Sequence, residues 1–346
     1  MKRILLTASV LFLFSVTFLK AQQDPKFTHY MFNEVVYNPA FIGSNMDQFC
    51  ANLVNHQQWM GMNIEDGSTA PTTTTFNVHR PFYLKNKSHK MGAGLVVYSD
   101  QLGFTNSTSL YGGLSYHYKM GESTDPAVGT KWLIGGLNVG FIQSGIDGSK
   151  LTYIDQGDPL IGWLVSDGNH MAFDFGLGLQ YKTDKYYIGL SNMHINQSQI
   201  DWFDGNNAGG DNQYMRHFYL NAGYDYVLIE DFLVIKPRTL IKFDKAKLQV
   251  DLGALAEING IYWGGLNVRG GEGMMLLAGA KVWEKQKGKN IHQLKLGVSY
   301  DITFSQLGGV SNGTLEFMAN YCFPIVVKPK LPSPEHDVRF LGGMTL

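Results

Sequence analysis

Gly313-Thr314-Leu315-Glu316-Phe317-Met318-Ala319-Asn320-Tyr321-Cys322-Phe323 reads as one extended strand with two unlike faces. Side chains alternate along a strand, so Leu315, Phe317, Ala319, Tyr321 and Phe323 share one face, and Glu316, Met318, Asn320 and Cys322 the other. An apolar row that ends in an aromatic suits the closing strand of an outer-membrane barrel, with lipid outside and a wet lumen inside. A soluble sandwich strand reads similarly with the environments exchanged, so the rest of the chain has to decide.

The same alternation recurs upstream. Candidate strands fall at 49–58, 73–80, 91–99, 107–119, 132–142, 171–181, 186–191, 216–226, 232–241, 247–258, 261–268, 274–283 and 291–303, ahead of 314–323. In 171–181, for example, Phe173, Phe175, Leu177 and Leu179 oppose Asp174, Gly176, Gly178 and Gln180. About fourteen strands in one domain is an even number, as single-chain bacterial outer-membrane barrels have. Taken in pairs, the strands leave long connections on one side (144–170 and 193–215) and mostly tight ones on the other (182–185, 227–231, 259–260). That is the rule of long external loops and short periplasmic turns. Asp174, Asp225, Asp251, Glu257, Lys281, Lys295 and Glu316 then fall on lumen positions or at the rims, since a basic residue facing lipid at the midplane costs about 2–4 kcal/mol. Pro237 lies inside a predicted strand and cannot donate to a ladder, so either a bulge is expected there or the segment is not a strand.

Composition agrees with an all-β membrane protein. The 346 residues are 44% hydrophobic, 13% aromatic and only 16% charged, with 40 glycines; average globular chains are about 25% charged. A net charge of -1 without basic clusters implies no nucleic-acid partner. Lys2-Arg3, the apolar run 4–19 and Ala21 form a secretory signal over 1–21. The absence of a second long apolar run leaves strands, rather than helices, to cross the membrane.

Between the signal and the first strand lies a segment, 22–48, bracketed by the turn formers Asp24-Pro25 and Asn38-Pro39. It is poor material for a spanning strand and reads as a brief helix or an extended run tucked inside the barrel, a plug. Here the chain resembles the PorP/SprF family of outer-membrane proteins. The resemblance rests on QDPxFxxYMFNxxxYNPAxxGS from Gln23 to Ser44, HxQWxGM from His56 to Met62, and Pro71-Thr72, and continues to the last strand. Gln57 stands where members more usually carry Arg. The resemblance implies a non-enzymatic component of type IX secretion and gliding machinery that helps secrete or anchor a particular cell-surface adhesin carrying a type IX sorting domain, and that contacts a periplasmic ring lipoprotein complex.

On this reading the plug residues are Asp24, Pro25, Tyr30, Asn33, Asn38, Pro39 and Gly43, and Trp59, Met62, Asp201, Trp202 and Phe203 stand on outer loops facing cargo. After the barrel (49–323), Pro324, Pro329, Pro332 and Pro334 give an extended, ladder-free tail, 324–346. Its Lys328, Lys330, Arg339 and Phe340 are suited to docking on a periplasmic partner. Barrel closure places Cys50 and Cys322 on neighbouring strands at the periplasmic end. A seam disulfide is one outcome there, although the tight register it demands favours two unpaired thiols.

Signals for chemistry are sparse. The histidines are scattered without zinc spacing, so no metal site is indicated. No cofactor loop is recognisable, because no helix follows Gly270-Gly271-Glu272-Gly273 to present amides. There is no nucleophile elbow. The oxygen-rich set Asp201, Asp204, Asn206, Asn207 and Asp211 matches no EF-hand and reads as a solvated loop. The competing function is a FadL-type outer-membrane transporter of hydrophobic small molecules, which would share the strand count and the plug.

Overall fold

The computed structural model describes residues 24–44, 48–61, 70–84, 89–125, 128–147, 169–201, 211–245, 247–287, 290–304, 309 and 311–325. The signal at 1–21 and nearly all of the tail lie outside them.

Strands follow one another around a closed antiparallel sheet: β1 (Gln48–Gln57), β2 (Thr72–Tyr83), β3 (His89–Leu102), β4 (Thr105–Glu122), β5 (Thr130–Ile146), β6 (Asn169–Lys182) and β7 (Tyr186–Met193). A small hairpin of β8 (Gln199–Asp201) and β9 (Asp211–Gln213) forms a separate sheet, packed on the barrel through the buried Ile200. The wall resumes with β10 (His217–Tyr224), β11 (Tyr226–Ile229), β12 (Leu233–Phe243), β13 (Leu248–Ile258), β14 (Tyr262–Arg269), β15 (Gly273–Lys287), β16 (Asn290–Thr303) and β17 (Thr314–Pro324). β10 and β11 are two halves of one wall strand, because both pair with β12. Counting them together gives fourteen strands among the described residues, and each predicted segment is found within a few residues of its expected ends.

Closure comes from β1 and β17, which pair from Gln48 opposite Pro324 to Gln57 opposite Leu315. The two faces of β17 separate as its alternation requires: Glu316 and Met318 are buried at 0% and 2% exposure, whereas Phe317 is 49% exposed. Around the wall the outward rows are apolar, including Leu95, Leu114, Phe141, Leu177, Leu190 and Leu266. An unbroken apolar exterior of this extent is the signature of a lipid contact surface. The connections are less asymmetric than the sequence implied. At the end holding the long connections, those from β3 to β4, from β12 to β13 and from β14 to β15 are also only two to four residues long.

Pro237 lies in a continuous β12 opposite Ala254, so neither a bulge nor a broken strand occurs on the β13 side. The interruption falls on the other neighbour. Tyr224 ends β10 opposite Pro237, where the ladder lacks a donor, and the Arg238 guanidinium supplies it by donating to the Tyr224 carbonyl at 2.7 Å. Asp225 takes the same guanidinium on its carboxylate.

Cys50 sits directly opposite Cys322 and the two are joined in a disulfide, in place of the free thiols favoured from sequence. The register that had to be tight is fixed on both sides by eight further pairs or more, since β17 is clamped between β1 and β16. The bond ties the first strand to the last across a sequence separation of 272.

The interior is filled by the N-terminal segment. One-turn helices at Tyr30–Phe32, Glu34–Tyr37 and Pro39–Phe41 carry the chain between Asp24 and Ser44. Asn38 is extended and caps the last turn by accepting from the Ala40 N–H at 2.9 Å, with Pro39 at the first helical position. Phe27, Tyr30, Val35, Val36, Tyr37, Phe41 and Ile42 form the core cluster with inward wall residues such as Val54, Tyr111, Tyr219 and Leu255.

Replacing both cysteines by serine should leave a barrel that folds but unfolds at lower urea, by about 2–4 kcal/mol for a cross-link closing a long loop. Heat-modifiable migration of the protein from detergent or vesicles, read across a urea series, measures this.

Candidate functional site

The centre of the lumen is organised by one buried carboxylate. Glu316 accepts the backbone N–H of Thr28 at 2.8 Å and that of His29 at 2.6 Å. It also accepts an Nδ1–H from His29 and another from His56, each at 2.7 Å. A buried carboxylate is tolerable only when its lone pairs are engaged in this way. Three more charged wall residues hold the same stretch. Asp301 accepts from the Thr28 hydroxyl at 2.8 and 2.9 Å, and Arg269 donates to the Phe27 carbonyl at 3.2 Å while pairing with Asp251 at 2.8 Å. Lys26 reaches Glu272 in the turn between β14 and β15, which also binds Lys247. Burial alone would raise the Glu272 carboxyl, but Lys26 and Lys247 outweigh it and hold the group down at about 2.

Amides and hydroxyls hold the remainder. Asn33 accepts from Asn52 at 3.1 Å and Asn77 at 2.7 Å. Ser191 donates to the Tyr37 carbonyl at 2.6 Å, Tyr98 to that of Val36 at 3.0 Å, and Ser115 to that of Ile42 at 2.6 Å. The irregular backbone of the segment is thus satisfied by the inner wall, as any buried polar backbone must be. Where it presses closest the wall carries glycine. A Cβ at Gly136 would fall 2.3 Å from the Ala40 nitrogen, and one at Gly92 2.3 Å from the Ile42 oxygen. Gly43 itself turns at φ +66, a conformation that favours glycine.

Two cavities flank the segment. One, of about 390 Å³, opens at the tight-turn end and is lined by Glu34, Lys182, Lys185, Arg238, Glu257 and Lys295 among others. The other, of about 540 Å³, opens at the long-loop end past Lys26, His56, Trp59, Asp100, Arg269 and Glu272.

Asp24, Tyr30, Asn33, Asn38, Pro39 and Gly43 all lie in this inner segment and, Pro25 included, face lumen or cavity. Trp59 lies at the long-loop rim, its N–H donating to the Thr314 hydroxyl at 3.1 Å. Asp201 ends β8 on the small hairpin. Met62, Trp202 and Phe203 lie outside the described residues, as do Lys328, Lys330, Arg339 and Phe340. Of the lumen charges expected from alternation, Asp174, Asp251 and Glu316 are buried inside, while Asp225 and Glu257 pair with Arg238 and Lys236 nearer the tight-turn mouth. Lys281 pairs with Glu284. Lys295 lines the tight-turn cavity. Sequence reasoning passed over Thr28, His29, His56, Arg269 and Asp301, which do most of the anchoring. For Thr28 and His29 the signal available was their position within the Gln23–Ser44 motif, and for His56 its place at the head of the second motif; nothing in the sequence marked Arg269 or Asp301.

Glu34 adds a titratable contact. Burial pushes its carboxyl up to about 7, against a hydrogen bond from Tyr187 and the charges of Arg238 and Lys182, which pull the other way. With a folded value above the ordinary 4.5, its contribution to docking is complete below about pH 4.5 and is lost as pH rises through about 7. Protease protection of the inner segment should therefore weaken between pH 5 and pH 8 in the native protein and stay level in E34Q. Glu316→Ala, which strands two amides and two imidazoles, should cost about 3–5 kcal/mol in urea unfolding and release the segment to protease first.

A family model described as type IX secretion system membrane protein PorP/SprF matches residues 19–321. No curated protein matches the chain. Among solved structures, the chain is similar to the CymD monoaromatic hydrocarbon channel, with 10% identity, a TM-score of 0.46, and coverage of 84% of this chain and 92% of that one. It is also similar to the P. putida toluene transporter TodX (12% identity, TM-score 0.42, coverage 83% and 91%). The translocator domain of the autotransporter NalP from Neisseria meningitidis aligns at 10% identity and a TM-score of 0.38, covering 85% and 94%. With the family match spanning nearly the whole chain, this fourteen-stranded outer-membrane barrel belongs to the PorP/SprF family of type IX secretion system membrane proteins.

Proposed function

We propose that this barrel is a non-enzymatic component that helps secrete, or holds at the cell surface, one particular type IX cargo such as an adhesin. In this reading the long-loop end faces outward and grips the cargo, with Trp59, Met62, Asp201, Trp202 and Phe203 as contacts. The tail, with Lys328, Lys330, Arg339 and Phe340, reaches a periplasmic ring lipoprotein complex. The inner segment is a fixed plug.

The observation that carries the reading, beside family membership, is the occupied lumen. A segment held by Glu316, Asp301, Arg269 and Lys26, and seated on wall glycines, supports a barrel that serves as an anchor or platform more than one that serves as a conduit. Opening a path through it would break several buried, charge-assisted hydrogen bonds together.

Crosslinking and pull-down from native outer membranes tests this, with the full chain and with a chain truncated after Phe323. The full chain should bring down a secreted cargo and ring components, and the truncated one should lose only the ring components. Planar-bilayer conductance and uptake of labelled lipid provide the counter-test. Steady conductance or uptake by the native protein, with no cargo captured, would replace this reading with the FadL-type transporter.

A further inference from the structure

Where the inner segment begins, its first described residue meets two histidines from distant parts of the wall. Asp24 Oδ1 lies 2.8 Å from His194 Nε2, and Asp24 Oδ2 lies 3.5 Å from His217 Nδ1. One donor atom from each of the three falls within 4.8 Å of the others. His194 follows β7, and His217 opens β10. With 24, 194 and 217 so far apart in sequence, no spacing motif could have revealed the set, and the sequence expectation of no metal site rested on spacing alone.

Three features point to a ligand. His217 is 1% exposed, yet neither ring nitrogen makes a hydrogen bond. An unpartnered buried imidazole is costly unless something binds it. The far nitrogen of each ring faces a carboxylate, Asp174 at 2.8 Å from His194 Nδ1 and Asp244 at 3.6 Å from His217 Nε2. Asp174 is itself held by the Tyr111 hydroxyl at 2.8 Å. A carboxylate behind each imidazole is how metal-ligating histidines are oriented and made more basic.

Charge is the third feature. Asp24, Asp174 and Asp244 face the two rings, and the cation in contact is Lys242, whose ammonium donates to the Asp24 carbonyl at 3.2 Å. Between Asp24 and Asp174 the His194 ring carries both its protons, so the metal-free cluster keeps an excess of one negative charge; a divalent ion that displaces the ring proton facing Asp24 would balance the three carboxylates together with Lys242. Ligation at about 2.0–2.2 Å places donors roughly 3.3 Å apart, so three donors that lie within 4.8 Å of one another need only small side-chain shifts to share an ion. A cavity of about 50 Å³ beside Asp24 and His194, lined also by Tyr98, Asp100, Tyr111 and Tyr214, leaves room for a water as fourth ligand.

We propose that Asp24, His194 and His217 bind one divalent first-row cation of the zinc type, which clamps the start of the inner segment to the wall. Imidazole nitrogens with one carboxylate suit zinc over the hard cations, which prefer all-oxygen shells. Asp174 and Asp244 act as positioning residues behind the rings. The clamp stands independently of which cargo the barrel serves.

The test uses full-length protein in detergent, stripped with chelator, dialysed and then given zinc or cobalt(II). Elemental analysis should find one zinc per chain, and bound cobalt should show the intense visible absorption of a tetrahedral site. Zinc should also protect the start of the inner segment from protease. His217→Gln and Asp24→Asn should each abolish the cobalt spectrum. Asp244→Asn should weaken binding by about 10–100-fold, as loss of a carboxylate behind a ligand does. Heat-modifiable migration confirms that each variant is folded. Folded native protein that takes up no zinc would overturn the proposal and assign the balancing charge to protons on the imidazoles. Equal metal binding by H217Q and D24N would overturn it too, by placing the ion elsewhere.

Discussion

Hydrocarbon offers no water to an unpaired N–H or C=O, and everything in this molecule follows from that constraint. A sheet can stand in lipid only if it has no edges, so the last strand must find the first. β17 meets β1 over ten residue pairs, and the Cys50–Cys322 bond fixes that seam covalently. Even the local defect obeys the rule. Pro237 cannot donate, so Arg238 donates to Tyr224 in its place.

Closure creates a second problem, because a wall fourteen strands around encloses more space than its own side chains fill. Here residues 24–44 enter the lumen with three single turns of helix, none long enough to be stable alone. They hold because the wall completes their hydrogen bonds. Glu316 serves two backbone amides that no helix could satisfy, Asn52 and Asn77 bind the Asn33 side chain, and Ser191 and Ser115 reach carbonyls. Inner wall and segment therefore form one core in which hydrogen-bonded polar and charged groups surround an apolar cluster, while the outer rows of the wall are apolar.

The charge distribution has a functional consequence. Buried carboxylates and cations bind the segment in several directions at once, so loosening it requires separating pairs that have little water to replace their partners. The mouths are different in character. Glu34, Lys182, Asp225 and Arg238 line the tight-turn cavity.

Period-two alternation carried most of the fold. Phe317 against Glu316, or Phe173 against Asp174, states on its own that one face is apolar and the other is not, and the strand count, the even parity and the closing strand follow. Length and composition at 22–48 showed a segment unfit to span, and the Gln23–Ser44 motif marked it as particular. What alternation cannot give is which lumen residue meets which. Glu316 with His29 and His56, Cys50 with Cys322, and Asp24 with His194 and His217 are joined across separations of up to 287 residues. Those meetings depend on the register and curvature of the closed sheet and on the path of the inner segment, which are properties of the whole barrel. The sequence determined that a barrel must form and which side of each strand is wet; only closure in three dimensions decided which charges share the lumen, because distance across a barrel is not encoded in distance along the chain.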